Sequence, residues 1–155
     1  MELIASQIAT SSLSLHDRRE ITTLDATVSA AQKAYAQAGI KPLDINVAEV
    51  HDCFSIAELI AYEDLGFVAK GKGAAFIKDG KATRTGKLPV NTSGGLKSCG
   101  HPVGATGVKQ AIEIALQLSG RAKQRQLSQN LQFGLTQNVG GSGATSVINI
   151  FKNHA

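Results

Sequence analysis

Apolar positions along the 155-residue chain follow two periods, and the change of period marks the elements. Leu3–Ile8 reads as a short strand. Leu24, Val28, Ala31 and Tyr35 recur at helical spacing. Thr22 or Thr23 is placed to cap that helix, Asp25 lies in its first turn, Gly39 stops it and Pro42 follows. Ile45–Val50 is a compact apolar run and predicts a buried strand. A helix over Ser55–Leu65 comes next, with Ile56, Leu59 and Ile60 on its inner face and Gly66 at its end. Residues 67–87 have weak patterning and much Gly and Lys; they predict a surface excursion with a short hairpin near Lys78–Lys81. Val108, Ala111, Ile112, Ala115 and Leu116 define a last helix, stopped by Gly120. Its polar positions, Lys109, Gln110, Glu113 and Gln117, form a narrow stripe, so the helix needs apolar cover on more than one side. Leu127–Asn138 and Ala144–Phe151 predict two strands joined by a Gly-rich hairpin at 139–143.

Composition changes this picture little. Hydrophobic residues make up 43% and charged residues 18%, which is ordinary for a globular chain with one core. The net charge is 16 − 12 = +4, and the excess is local. Lys70, Lys72, Lys78, Lys81, Arg84, Lys87 and Lys97 face one acid, Asp79, over the same stretch. Such a run meets nucleic acid, a membrane surface or an anionic cofactor, or is simply a solvated face. Few aromatics lie among these residues and no helix-turn-helix, zinc-finger or ribonucleoprotein pattern appears, so nucleic acid is not expected as a partner. His16 reads as a surface residue. Cys53 and Cys99 show no metal-ligand spacing and suggest a reducing compartment. No signal peptide and no apolar run of transmembrane length is visible, and a soluble, cytoplasmic protein without membrane insertion is expected.

The chemistry concentrates in Asn91-Thr-Ser-Gly-Gly-Leu-Lys-Ser-Cys-Gly-His-Pro-Val-Gly-Ala-Thr-Gly107, a glycine-rich loop feeding a helix. Such a loop brings free N–H groups and the positive end of a helix dipole together. Gly94, Gly95, Gly100 and Gly104 allow backbone angles closed to other residues and close approach to a ligand. Pro102 restricts His101, which becomes a candidate hydrogen-bond donor to a developing oxyanion.

Asn91–Gly107 resembles the Gly-His-Pro segment of the thiolase superfamily. Glu49-Val-His-Asp-Cys-Phe54 and Asn138-Val-Gly-Gly-Ser-Gly143 resemble two further segments of that family, in its order and spacing. The His-Asp-Cys-Phe form is similar to thiolases of the sterol carrier protein X type rather than to the Asn-Glu-Ala-Phe form of ordinary degradative thiolases. The resemblance spans residues 1–155, but only the C-terminal half of such an enzyme. It implies an α/β fold: a five-stranded mixed sheet with helices on both faces, the half-unit of the thiolase fold. It also implies an acyltransferase that makes or breaks a carbon–carbon bond next to a thioester. Acyl-coenzyme A is then the substrate, with no permanently bound cofactor and no metal.

By this resemblance His101 donates to the thioester oxygen, and His51, where most thiolases carry Asn, helps build the same oxyanion hole. The N–H of Gly140 serves the other hole, and the backbone at Gly94, Gly95, Gly100 and Gly141 comes close to the acyl-coenzyme A. Asn138 stands where ordinary thiolases have the proton-shuttling Cys, and the role is expected to pass to Cys53. Read alone, a cysteine placed like Cys53, behind a buried strand, is more often a core residue. Cys99, two residues from His101, is a weaker nucleophile candidate. Asp52 either orients His51 or caps the helix that begins near Cys53–Ser55. The family's nucleophilic Cys lies in the N-terminal half. The chain is therefore expected to work with an N-terminal thiolase half or a partner subunit, as a fragment, a truncated product or one subunit of a split enzyme, and to form homo-oligomers. The alternative is a non-catalytic acyl-coenzyme A-binding or scaffold subunit.

Overall fold

The computed structural model describes residues 1–154. Four strands form one mixed sheet: β1 (Glu2–Thr10), β2 (Val47–Glu49), β3 (Phe133–Gly140) and β4 (Thr145–Lys152), in the order β1-β4-β3-β2. β3 and β4 are the predicted antiparallel hairpin, β1 pairs antiparallel with β4, and β2 runs parallel to β3.

The expected fifth strand is reduced to a single parallel bridge between Ala48 and Val90. Ala48 donates to Pro89 O at 3.0 Å and accepts from Asn91 N–H at 2.9 Å. The ladder cannot grow from there. Pro89 has no N–H, and Asn91 takes the left-handed conformation (φ 53) that turns the chain away. Both interruptions are visible in the sequence beside a strand-like Leu-Pro-Val.

Helices cover both faces. α1 (Asp25–Ala38) and α2 (Ser55–Asp64) pack on the face carrying Ala48, Leu135, Ile148 and Ile150, with Ala30, Ala34 and Tyr62 facing inward. α5 (Thr106–Leu118) packs on the opposite face through Ile114 and Leu118 against Val47 and Phe151. Val47 and Ala48 are sequence neighbours, so the strand's period of two sends them to different cores. Gly39 closes α1 in the left-handed conformation, as predicted. Neither Thr22 nor Thr23 caps its start; Asp64 of α2 reaches over and accepts the N–H of Leu24, the capping position, at 2.7 Å.

Three expectations are corrected. The segment around Lys78 is a short helix, α3 (Gly73–Lys78), whose Phe76 is buried against Tyr62, and not a hairpin. On α2 the buried residues are Ala61, Tyr62 and Asp64, while Ile56 is exposed. On α5 the polar stripe turns inward: Gln110, Glu113 and Gln117 are buried, and Val108 and Ile112 are exposed. The stripe is largely paired, although Gln110 Oε1 finds no hydrogen-bond partner among the described residues. Gln110 donates to Gln137 O at 3.0 Å, Glu113 holds Arg125 at 2.8 Å, and Gln117 donates to Arg125 O and accepts from Leu127 N–H. With Ile114, Leu118 and the polar stripe all inward, Val108 and Ile112 remain as apolar residues on the outer surface.

Candidate active site

β2 ends at Glu49, and the next five residues leave the sheet under side-chain control. Asn91 Oδ1 accepts the N–H of Val50 at 2.8 Å, and Gln137 Oε1 accepts the N–H of His51 at 2.9 Å. Asp52 Oδ1 accepts the N–H of Leu96 at 2.7 Å, at the start of α4 (Gly95–Cys99). Asp52 thus neither caps α2 nor fixes the His51 ring by a hydrogen bond; it ties the strand end to the glycine-rich loop. Gly95 is the counterpart, since a Cβ there would lie 2.1 Å from Asp52 Oδ2. Glu49, fully buried, adds a second tie by accepting from Ser93 Oγ at 2.6 Å and Ser93 N–H at 3.1 Å. Burial raises the pKa of Glu49 above the ordinary carboxylate value, against the opposing Ser93 hydrogen bonds.

These ties bring two imidazoles together. The rings of His51 and His101 meet edge to face, with centroids 4.8 Å apart at 88°. His101 is exposed, and its Nδ1 lies 2.7 Å from Thr106 Oγ1. Pro102 O, the other neighbour of that hydroxyl at 3.3 Å, already accepts from the N–H groups of Ala105 and Thr106. The Thr106 hydroxyl, which donates to Pro102 O, holds the Nδ1 edge of the ring, so Nε2 is the nitrogen left for a ligand. His51 is buried, and its Nδ1 has no hydrogen-bond partner, a place for a polar atom of a ligand or a water. Burial, followed by the neighbouring His101, lowers the His51 pKa below the ordinary 6.5, while the Asn138 side chain opposes this by hydrogen-bonding to the ring.

The two rings line a cavity of about 920 Å³, together with Cys53, Gly140, Gly141 and an apolar wall that includes Phe54, Ile60 and Val147. Cys53 is exposed, so it is not a core residue. Gly94, Gly95 and Gly100 do not line the cavity; all three have positive φ and shape the loop beneath His101. Cys99 is exposed on that loop, its thiol 3.3 Å from Ser93 O, and does not line the cavity either. Sequence reasoning missed three contributors. Thr106 holds the Nδ1 edge of His101, and Asn138 acts on the His51 ring, its amide packed where a Cβ on Gly107 would come within 2.6 Å. Gln137 positions the His51 backbone. Each was legible only as a polar residue inside an apolar strand or at a helix start.

The arrangement offers a donor, a thiol and a hairpin-tip backbone around one cavity, which is a set for thioester enolate chemistry. Residues 8–153 match the thiolase C-terminal domain-like family. The chain belongs to the thiolase family, as a C-terminal domain. It is 51% identical over 147 residues to an acetyl-CoA acetyltransferase of Methanothermobacter thermautotrophicus, covering 95% of this chain and 38% of that protein. It is 40% identical over 155 residues to sterol carrier protein 2 of Oryctolagus cuniculus, covering 98% of this chain and 28% of that protein. Among solved structures it superposes on the Ltp2-ChsH2(DUF35) aldolase with a TM-score of 0.84 at 26% identity, covering 99% of this chain and 40% of that one. The thiolase C-terminal domain therefore spans well under half the length of the relatives it matches.

Proposed function

We propose that this thiolase C-terminal domain supplies the acid–base and oxyanion side of carbon–carbon bond formation or cleavage at an acyl-coenzyme A thioester. The observation that carries the reading is the His51–His101 pair at 4.8 Å, in one cavity with Cys53 and the tip at Gly140. The thioester oxygen is taken to lie against His101 Nε2–H, which stabilises the enolate as charge develops. His51 supports the same oxygen through the polar atom held at its unpartnered Nδ1. Cys53, once deprotonated, removes the α-carbon proton of the substrate. The enolate carbon then bonds to an acyl group held on the nucleophilic cysteine of an N-terminal thiolase half. The bond from that acyl carbon to sulfur breaks, and the proton on Cys53 returns to the departing thiolate. The Gly140 N–H donates to the tetrahedral oxygen in that step. Acyl-coenzyme A is substrate here, with no resident cofactor, and two free thiols suit a cytoplasmic setting. A second reading, a binding or scaffold subunit, draws on the likeness to an aldolase whose name pairs Ltp2 with ChsH2(DUF35).

Reconstitution with an N-terminal thiolase half separates the two. His101→Ala is expected to lower the condensation rate roughly 10²–10³-fold. Cys53→Ala is expected to abolish condensation while acyl transfer to the partner's nucleophile stays measurable. Full turnover in either variant removes that residue from the chemistry, and no turnover in the unaltered pair favours the scaffold reading.

A further inference from the structure

The cavity lining contains no acidic side chain and one guanidinium, that of Arg18. Arg18 lies between β1 and α1, partly buried, and its Nη2 donates to Ser142 O at the hairpin tip. Gly143 makes room for this contact, since a Cβ there would come within 3.2 Å of Arg18 Nη2 and 2.6 Å of Leu24 Cδ2. Arg19 pairs with Asp25 and Arg125 with Glu113, but no carboxylate lies within ion-pairing distance of Arg18 among the described residues. A guanidinium has five N–H donors, and Ser142 O occupies one. A fixed positive charge at the wall of an apolar cavity, without a counter-charge from its own chain, favours an anion brought in by the ligand.

We propose that Arg18 determines acyl-group specificity by binding a carboxylate at the far end of the acyl chain, so that the site prefers thioesters of short dicarboxylic acids. The inference rests on the acyl-thioester reading above. With the thioester at His101, a chain of a few carbons lies on Leu15, Leu24 and Ile60 and presents its distal carboxylate to Arg18, which lines the same cavity. The phosphates of coenzyme A are the other source of an anion. They are separated from the thioester by the whole pantetheine arm, whereas an acyl chain is bonded to the thioester carbon itself. A carboxylate on the acyl side therefore fits better.

The test is an NMR titration of the isotope-labelled chain, following the His51, His101 and Gly141–Gly143 signals. The probes are glutaryl-pantetheine and valeryl-pantetheine, which differ in a terminal carboxylate. The unaltered chain is expected to bind the glutaryl probe about tenfold more tightly, the scale of one charge-assisted pair at a partly exposed site. Arg18→Gln keeps a donor for Ser142 O and is expected to erase the preference; Arg18→Lys is expected to retain part of it. Equal binding of the two probes by the unaltered chain overturns the proposal, as does a preference that survives in a folded Arg18→Gln chain. A preference for coenzyme A over pantetheine that depends on Arg18, with none for glutaryl over valeryl, assigns the guanidinium to phosphate and also overturns it. Free valerate against valeramide isolates the anion site. Arg18-dependent valerate binding without any thioester shift at His51 or His101 supports the carboxylate site and defeats the acyl-thioester reading. No Arg18-dependent binding of any carboxylate defeats the proposal alone.

Discussion

His51 has one property that solution measurements can reach: burial, and next the neighbouring His101, lower its pKa below the ordinary 6.5. The unfolded chain therefore takes up its proton first as the pH falls. Stability contributed by neutral His51 is complete above about pH 6.5 and is lost as the pH drops toward the folded value. Glu49 and Glu58, whose pKa values are raised by burial, act with the opposite slope: their contribution is complete at low pH and is lost as the pH rises. Urea titrations of the unaltered chain and of His51→Asn at pH 7.5 and 5.5 isolate the histidine. The unaltered chain is expected to lose more stability between the two pH values than the variant. Equal losses would mean that His51 titrates normally.

His101, His51 and Cys53 were legible from motif resemblance because each stands in a named segment, and the structure brings all three to one cavity. Their supports were not. Nothing in residue type sets Thr106 apart from any helix-start threonine, and the motif resemblance marks Asn138 as a replaced Cys without pointing to the His51 ring.

Among the elements, the glycine-rich loop shows how two readings of the same residue diverge. Gly94 and Gly95 looked like places for a ligand to approach; the structure puts Ser98 and the Asp52 carboxylate there instead. Gly95 and Gly39 both have positive φ, at 64° and 67°, but only Gly95 faces an obstruction, while a Cβ on Gly39 meets nothing within 4 Å. Gly39→Ala is expected to cost about 1 kcal/mol, from backbone strain alone. Gly95→Ala adds the collision with Asp52 and is expected to cost roughly 3 kcal/mol or more. Similar melting temperatures for the two variants would show that the Asp52 tie does not hold the loop. The helices and the hairpin were readable from apolar period, since burial sets that period. The interruptions were not weighed: Pro89 and Asn91 reduce the fifth strand to one bridge, and α3 replaces a hairpin because Phe76 finds a pocket beside Tyr62.

At the scale of the molecule, α5 is the informative element. It buries Ile114 and Leu118 together with its paired polar residues and still exposes Val108 and Ile112, so it is apolar on more than one side. Val103, Val108 and Ile112 are exposed by 81%, 61% and 53%, and together exceed what singly scattered apolar residues explain. Cover by a second copy of the chain is the simplest arrangement for such a face. Light scattering is expected to show self-association, most simply a two-fold dimer. Replacing Val108 and Ile112 with Ser is expected to weaken it. A clean monomer of the unaltered chain at high concentration would contradict this.

The central claim is that this domain does the acid–base and oxyanion work while another thiolase half carries the acyl group. Cys53 is set at the cavity beside the enolate donors, and Cys99 lies outside the cavity. An acyl-enzyme needs a thiolate beside two donors for the tetrahedral oxygen, and the account gives Cys53 the proton-transfer role instead. Intact-protein mass spectrometry of the chain mixed with an N-terminal thiolase half and acetyl-coenzyme A reads the division directly. The account predicts an acetyl adduct on the partner and none on this chain. A stoichiometric acetyl adduct on Cys53 or Cys99, transferable to a second coenzyme A, would contradict it and make this chain a nucleophile in its own right.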